Sequence, residues 1–90
     1  MKEFEKDREV MLILQEECAE VTQAISKIFR FGSSAEHNGR TNQSRLSEEV
    51  GDLLCMIDLL VERGIVSDTD INQARLKKRD KLQVWSGIFE

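Results

Sequence analysis

Hydrophobic residues recur along most of this chain at the three- and four-residue spacing of an amphipathic helix. The first such stretch predicts a helix from about Glu5 to Phe31, which ends at Gly32 because glycine readily adopts the left-handed conformation that closes a helix. Its apolar stripe comprises Leu14, Cys18, Val21, Ile25 and Ile28. We expect this stripe to face the core, with Cys18 as a small core residue.

A polar loop rich in glycine, serine and asparagine, residues 32–44, separates this stretch from a second stripe. The second helix is predicted to begin near Ser44 or Ser47, both suitable N-caps, and to end at Gly64. Its stripe comprises Leu46, Val50, Leu53, Ile57 and Leu60. Because the connection is short, we expect the two helices to be antiparallel neighbours.

The last third of the chain predicts a third helix, more polar than the other two. Ser67 is its predicted N-cap, and Asp70 stands where a capping box places its reciprocal acid. A short apolar tail, residues 85–90, is expected to pack on the bundle or against a neighbouring subunit. No stretch is a strong strand candidate. The chain therefore predicts one all-α domain over residues 1–90, an antiparallel helical bundle of three main helices that oligomerisation completes.

Composition agrees with this class and limits the partners. The chain is 40% hydrophobic and 33% charged, without proline or tyrosine. A domain of 90 residues buries only ~60–65% of its unfolded surface, so we expect a homodimer or homotetramer. A net charge of −4 argues against nucleic-acid binding. Without a membrane-spanning run or the apolar core of a signal peptide, we expect a soluble, cytoplasmic protein with no membrane partner.

One acidic pattern occurs twice, 32 residues apart, inside the first two predicted helices. The two copies are Glu16-Glu17-x-x-Glu20 and Glu48-Glu49-x-x-Asp52. In each copy the second and third acids lie one turn apart on the same side of the helix, on the flank of the apolar stripe. The first acid of each copy projects toward the polar boundary, where it would hold water, support a ligand or be a surface charge. The pattern therefore predicts four carboxylates facing the seam between the helices.

Four carboxylates at an apolar seam require a compensating charge, because burial and like-charge proximity both raise their pKa values. A divalent cation supplies it. Oxygen ligands without a nearby histidine or cysteine favour Mg²⁺ or Mn²⁺ over structural zinc. A solvated charged face would explain one copy of the pattern, whereas two copies beside apolar stripes favour a metal site.

These motifs together resemble the signature of the MazG-type all-α nucleoside triphosphate pyrophosphohydrolases. The resemblance spans residues ~10–85. Besides the two acidic copies it includes Gln23–Gly32, Gly51–Leu54, and Lys77–Leu82 with Trp85. It implies a Mg²⁺-dependent cleavage between the α and β phosphates of a nucleotide, which yields a nucleoside monophosphate and pyrophosphate. Removal of noncanonical or excess nucleotides would be the cellular role.

The resemblance also implies roles for individual residues. The metal ligands would be Glu17, Glu20, Glu49 and Asp52. Glu16 or Glu48 would orient the attacking water or accept its proton. A triphosphate substrate would need cations besides the metal, so Lys27, Arg30, Lys78 and Lys81 would either contact phosphates or be solvated surface cations. Phe31 or Trp85 would either stack on the base or pack in the core or a subunit interface.

Two other functions stay open at this point. The first is a catalytically silent helical module that binds a nucleotide or a protein. The second is a carboxylate-bridged di-iron bundle, which is disfavoured because such sites use Glu-x-x-His on two helices and the only histidine, His37, lies in the polar loop. Many members of the resembled family have a fourth substantial helix, so we expect a second subunit to complete the bundle and to share the active site. No residue identifies the base or the sugar.

Overall fold

The computed structural model describes residues 3–90, with side chains from Phe4 onward, and confirms the all-α class. The chain forms three helices and, between the first two, a small two-stranded hairpin. The elements are α1 (Glu3–Phe31), β1 (Glu36–His37), β2 (Arg40–Thr41), α2 (Asn42–Glu62) and α3 (Asp68–Trp85). None of the helices in this part of the chain is both long enough and apolar enough to cross a membrane.

The helix ends follow local signals in the sequence, with one exception. Gly32 and Gly64 have φ values of +93° and +71° and close α1 and α2 in the predicted left-handed conformation. The Ser67 side chain caps α3 by accepting a hydrogen bond from the Asp70 amide at 3.3 Å. The predicted start of α2 near Ser44 or Ser47 was wrong, because Thr41 is its N-cap.

The hairpin contradicts the expectation that the loop contains no strand. Glu36 pairs with Thr41 and His37 with Arg40 in antiparallel register. The connecting residues Asn38 and Gly39 both have positive φ, 55° and 78°. This is the Asn-Gly turn typical of two-residue hairpins. The hairpin leaves Thr41 in an extended conformation, and its side chain then accepts a hydrogen bond from the Ser44 amide at 3.1 Å.

Contacts at both ends hold α1 and α2 antiparallel. At one end Arg63 Nε, just after α2, donates to a carboxylate oxygen of Asp7 on α1 at 2.6 Å. At the other end the buried Asn42 side chain donates to the carbonyl of Gly32 at 3.0 Å. The acidic segments in the middle of the two helices consequently face each other. The buried hydrophobic residues among those described are Ala24, Met56 and Leu60.

The molecule is flat, with principal extents of 44 × 38 × 14 Å. Helix α3 makes few contacts with α1 or α2, and none of its residues is buried. Cys18 and Cys55 are both free thiols, but Cys18 is exposed, so its predicted place in the core was wrong. The seam between two helices is too narrow to cover the full apolar stripe of either one. Many large hydrophobic side chains are therefore exposed.

Candidate active site

Three carboxylates converge at the centre of the α1–α2 seam. One oxygen each of Glu17, Glu49 and Asp52 lies within 4.8 Å of the other two. Glu17 and Glu49 are half-buried, and Asp52 is exposed. We call these three residues the acidic cluster. Three hard oxygen donors from two helices are a suitable partial ligand set for Mg²⁺ or Mn²⁺, which usually keep several waters.

Glu20, the fourth predicted ligand, lies beside the acidic cluster and not within it. It is one turn after Glu17 on α1 and, with Glu49, lines a small cavity next to the cluster. It is also close enough for its charge to raise the pKa of Glu49. The structure therefore brings three of the four predicted ligands together and leaves Glu20 at their edge.

Two carboxylates of the acidic cluster, Glu17 and Glu49, have raised pKa values. Partial desolvation, followed by the neighbouring charges of Asp52, Glu20 and Glu16, raises the pKa of Glu17 above its ordinary value. Desolvation also raises the pKa of Glu49, and the charge of Glu20 is the largest of the added contributions. Both shifts reflect partial desolvation of the carboxylates and, after it, the repulsion among their negative charges. A bound divalent cation would offset that repulsion, so the residues present fit the metal that the sequence predicts.

The first acid of each copy lies outside the acidic cluster, as predicted. Glu16 and Glu48 are both exposed. A Glu48 carboxylate oxygen pairs with Arg40 Nη2 of the hairpin at 2.6 Å. His37 is not in the acidic cluster either, so the described residues give the di-iron alternative no histidine ligand. The catalytic roles of Glu16 and Glu48 stay predictions.

Two adjoining cavities extend from the acidic cluster toward the hairpin. The smaller, about 70 Å³, is lined by Glu20, Gln23, Ala24, Lys27, Asn42, Arg45 and Glu49. The larger, about 410 Å³, is lined by Lys27, Phe31, Ala35, Glu36, His37, Asn42 and Arg45. Lys27, Asn42 and Arg45 line both cavities and so mark their junction. The two cavities therefore lie side by side, one next to Glu20 and Glu49 and the other next to Phe31 and the hairpin.

The predicted phosphate-binding cations are divided between this region and the rest of the molecule. Lys27 lines both cavities. Arg30 stacks on the Phe31 ring, with its guanidinium carbon 4.9 Å from the ring centroid, and lines neither cavity. Lys78 and Lys81 are exposed on α3 and also line neither cavity. Their roles toward phosphate stay untested predictions.

Two aromatic residues have different surroundings. Phe31 lines the larger cavity, whereas Trp85 is 83% exposed at the end of α3.

Sequence reasoning missed Arg45 as a site residue. The available signal was its spacing, because Arg45 precedes Glu49 by one helical turn and so lies on the same side of α2.

Comparison with known proteins adds an independent line of evidence. The family model of the MazG nucleotide pyrophosphohydrolase domain matches residues 5–83, which include most of α1, the hairpin, α2 and most of α3. A search of curated proteins and a search of solved structures gave no significant match. The family model covers far more than half of the chain, including both acidic copies, and this chain belongs to the MazG nucleotide pyrophosphohydrolase family.

Proposed function

We propose that this protein is a divalent-metal-dependent hydrolase that cleaves a nucleoside triphosphate between the α and β phosphates. The observation that carries the proposal is the acidic cluster, formed by Glu17, Glu49 and Asp52 within a domain of a nucleotide pyrophosphohydrolase family. The cavities beside it support a nucleotide substrate, since they combine carboxylates, two cations and an aromatic ring. The products would be a nucleoside monophosphate and pyrophosphate.

The acidic cluster would hold Mg²⁺, or Mn²⁺ in its place, with Glu20 as a further ligand. When bound, such an ion neutralises phosphate charge and makes a coordinated water more acidic. Lys27 lines both cavities and is suited to contact the phosphate chain as a point charge.

In the reaction, a water oxygen forms a bond to the α-phosphorus, and the bond from that phosphorus to the bridging oxygen breaks. The pyrophosphate leaves with the bond electrons, and the water proton passes to a carboxylate. Glu16 and Glu48 flank the acidic cluster and are the candidates for this base. The Arg40 ion pair orients one carboxylate oxygen of Glu48, which suits a residue that positions water.

The decisive experiment measures pyrophosphate release from a panel of ribo- and deoxynucleoside triphosphates with Mg²⁺, with Mn²⁺ and with a chelator. We expect release that requires the metal and is accompanied by a monophosphate product. Release that persists in chelator would contradict the metal site. Nucleotide binding without any release would favour the catalytically silent module.

We further propose that the protein associates with copies of itself. Its accessible surface is 7154 Å², whereas a compact monomer of this 10.4 kDa mass exposes roughly 5,400 Å². The excess is about twice the ~800 Å² that each partner buries in a standard interface. The exposed apolar side chains include Phe4, Met11, Leu12, Phe29, Leu54, Leu76, Val84, Trp85 and Ile88. A second subunit would bury this surface and complete the loosely packed bundle.

A further inference from the structure

Arg45 has an unusual combination of contacts for a surface helix residue. Its side chain is half-buried on α2, and Nη2 donates a hydrogen bond to the carbonyl of His37 on β1 at 3.1 Å. Its Nε is shielded from solvent and has no hydrogen-bond partner among the described residues. A buried guanidinium N–H without an acceptor is unfavourable. The hairpin therefore holds this side chain in place, although one of its buried donors has no partner.

Arg45 lies close to the residues of the proposed reaction. Arg45 lines both the small cavity, which it shares with Glu20 and Glu49, and the larger cavity beneath the hairpin. Lys27 of α1 lines the same two cavities, so cations from both helices meet at the junction. The adjoining carboxylates would repel an anion placed there unless these two cations, together with a metal in the acidic cluster, offset the repulsion.

The larger cavity is suited to an uncharged, partly aromatic group. Its volume of about 410 Å³ lies within the ~300–1,000 Å³ that ligand pockets usually have. Phe31 provides an aromatic surface, and Asn42 and His37 provide polar groups at the wall. Glu36 also lines this cavity and partly offsets the charges of Lys27 and Arg45. A nucleoside meets these requirements, with its phosphates directed toward the acidic cluster.

We propose that Arg45 is a substrate-binding residue that contacts the phosphate nearest the nucleoside, while the cavity beneath the hairpin holds the nucleoside itself. This inference rests on the nucleotide substrate proposed above. The phosphate contact would be made by the part of the Arg45 side chain that lines the two cavities, and the hydrogen bond to the His37 carbonyl holds that side chain in place. The hairpin thus serves as a support for a binding residue of α2.

The test measures how tightly the wild type and its variants bind one nucleoside triphosphate analogue. In this analogue an imido group bridges the α and β phosphates, so the bond cannot be cleaved. We expect Arg45→Gln to weaken binding roughly 10- to 100-fold, because a charge-assisted hydrogen bond is lost. Arg45→Lys should have an intermediate effect, since it keeps the charge but not the planar fork. Arg75→Gln is the matched control, because Arg75 is exposed on α3 and lines neither cavity. The Mn²⁺ affinity of all variants should equal that of the wild type.

Binding by Arg45→Gln within twofold of the wild type would overturn the proposal. A wild-type protein that binds no nucleotide would instead overturn the proposed function, and this proposal with it. A second measurement needs no variant: the ring signals of His37, the only histidine, should shift when a nucleoside monophosphate is titrated into the wild-type protein. The indole signal of Trp85, which lies outside the cavity, should not. Unchanged His37 signals at saturating monophosphate would also contradict the assignment.

Discussion

At the residue scale, the carboxylates of the acidic cluster repel one another, yet the proposed reaction needs them to bind a metal. The variant Glu49→Gln separates these two effects. The amide is nearly isosteric but neutral, so it removes one repelling charge from half-buried surroundings and weakens the proposed metal site. We expect pyrophosphate release to fall by at least roughly 100-fold, while the metal-free Tm is preserved or raised. Glu62→Gln, at an exposed position of α2, is the control. Unchanged activity of Glu49→Gln would refute its assignment as a ligand.

The same carboxylates predict how stability depends on pH. Because the pKa values of Glu17 and Glu49 are raised above 4.5, the folded metal-free protein binds protons more tightly than the unfolded chain. Their contribution to stability is complete below about pH 4.5 and is lost as the pH rises through the raised pKa values. The double variant Glu17→Gln/Glu49→Gln lacks this loss, so its Tm advantage over the wild type should grow from pH 4 to pH 7. Calorimetry of both proteins, without metal and with chelator, measures this Tm difference. A difference that stays the same from pH 4 to pH 7 would contradict the predicted loss of stability.

Local spacing was sufficient to predict the carboxylates but not the cation beside them. Glu17, Glu49 and Asp52 could be predicted because helical periodicity alone puts each acid on the flank of an apolar stripe. Arg45 is on the same side of its helix, but the role we propose for it depends on a hydrogen bond to His37, eight residues earlier. That contact exists only because the hairpin returns the chain toward α2.

At the element scale, the junction between the hairpin and α2 determines how the two long helices are held together. The helix ends at Gly32, Gly64 and Ser67 could be predicted because each depends on one residue and its immediate neighbours. The start of α2 could not be predicted, because it depends on the hairpin before it. Strands of only two residues are too short to show the alternating pattern that identifies a strand in a sequence. Thr41 is a cap only once the Asn38-Gly39 turn has placed it in extended conformation.

Asn42 makes this junction testable. Its side-chain amide donates to the Gly32 carbonyl at 3.0 Å and, at 3.5 Å, to the Lys27 carbonyl, so it joins the first residue of α2 to the end of α1. We expect Asn42→Ala to lower the free energy of unfolding by about 1–3 kcal/mol, because it removes the side-chain hydrogen bonds that join the two helices. The Gly32 carbonyl would then accept only from the Ala35 amide, at 3.4 Å. Urea unfolding measures the change. Gln43→Ala, at the exposed neighbouring position, should cost far less, and equal losses would contradict the role of Asn42.

At the scale of the whole molecule, the described core is too small for the apolar surface that the helices carry. Leu12 and Leu54 are each 51% exposed on α1 and α2, and Trp85 is 83% exposed on α3. Desolvating such side chains contributes ~25 cal/mol per Å² of apolar area, so a second copy that covered them would stabilise the protein. The flatness of the molecule, 14 Å in its thinnest dimension, also leaves both broad faces accessible to a partner.

We therefore expect the wild-type protein to sediment at twice or four times the mass of one chain at micromolar concentration. Leu54→Glu introduces a charge at an exposed position of α2, so it should leave the single chain folded while it shifts the sedimentation equilibrium toward the monomer. Gln73→Glu adds the same charge at an exposed polar position of α3 and should leave the mass unchanged. If completion of the bundle is also what holds α1 and α2 at their catalytic spacing, pyrophosphate release per chain should fall in parallel with dimer content on dilution. A wild-type protein that sediments as a monomer with full activity would show that the α1–α2 pair alone maintains the acidic cluster.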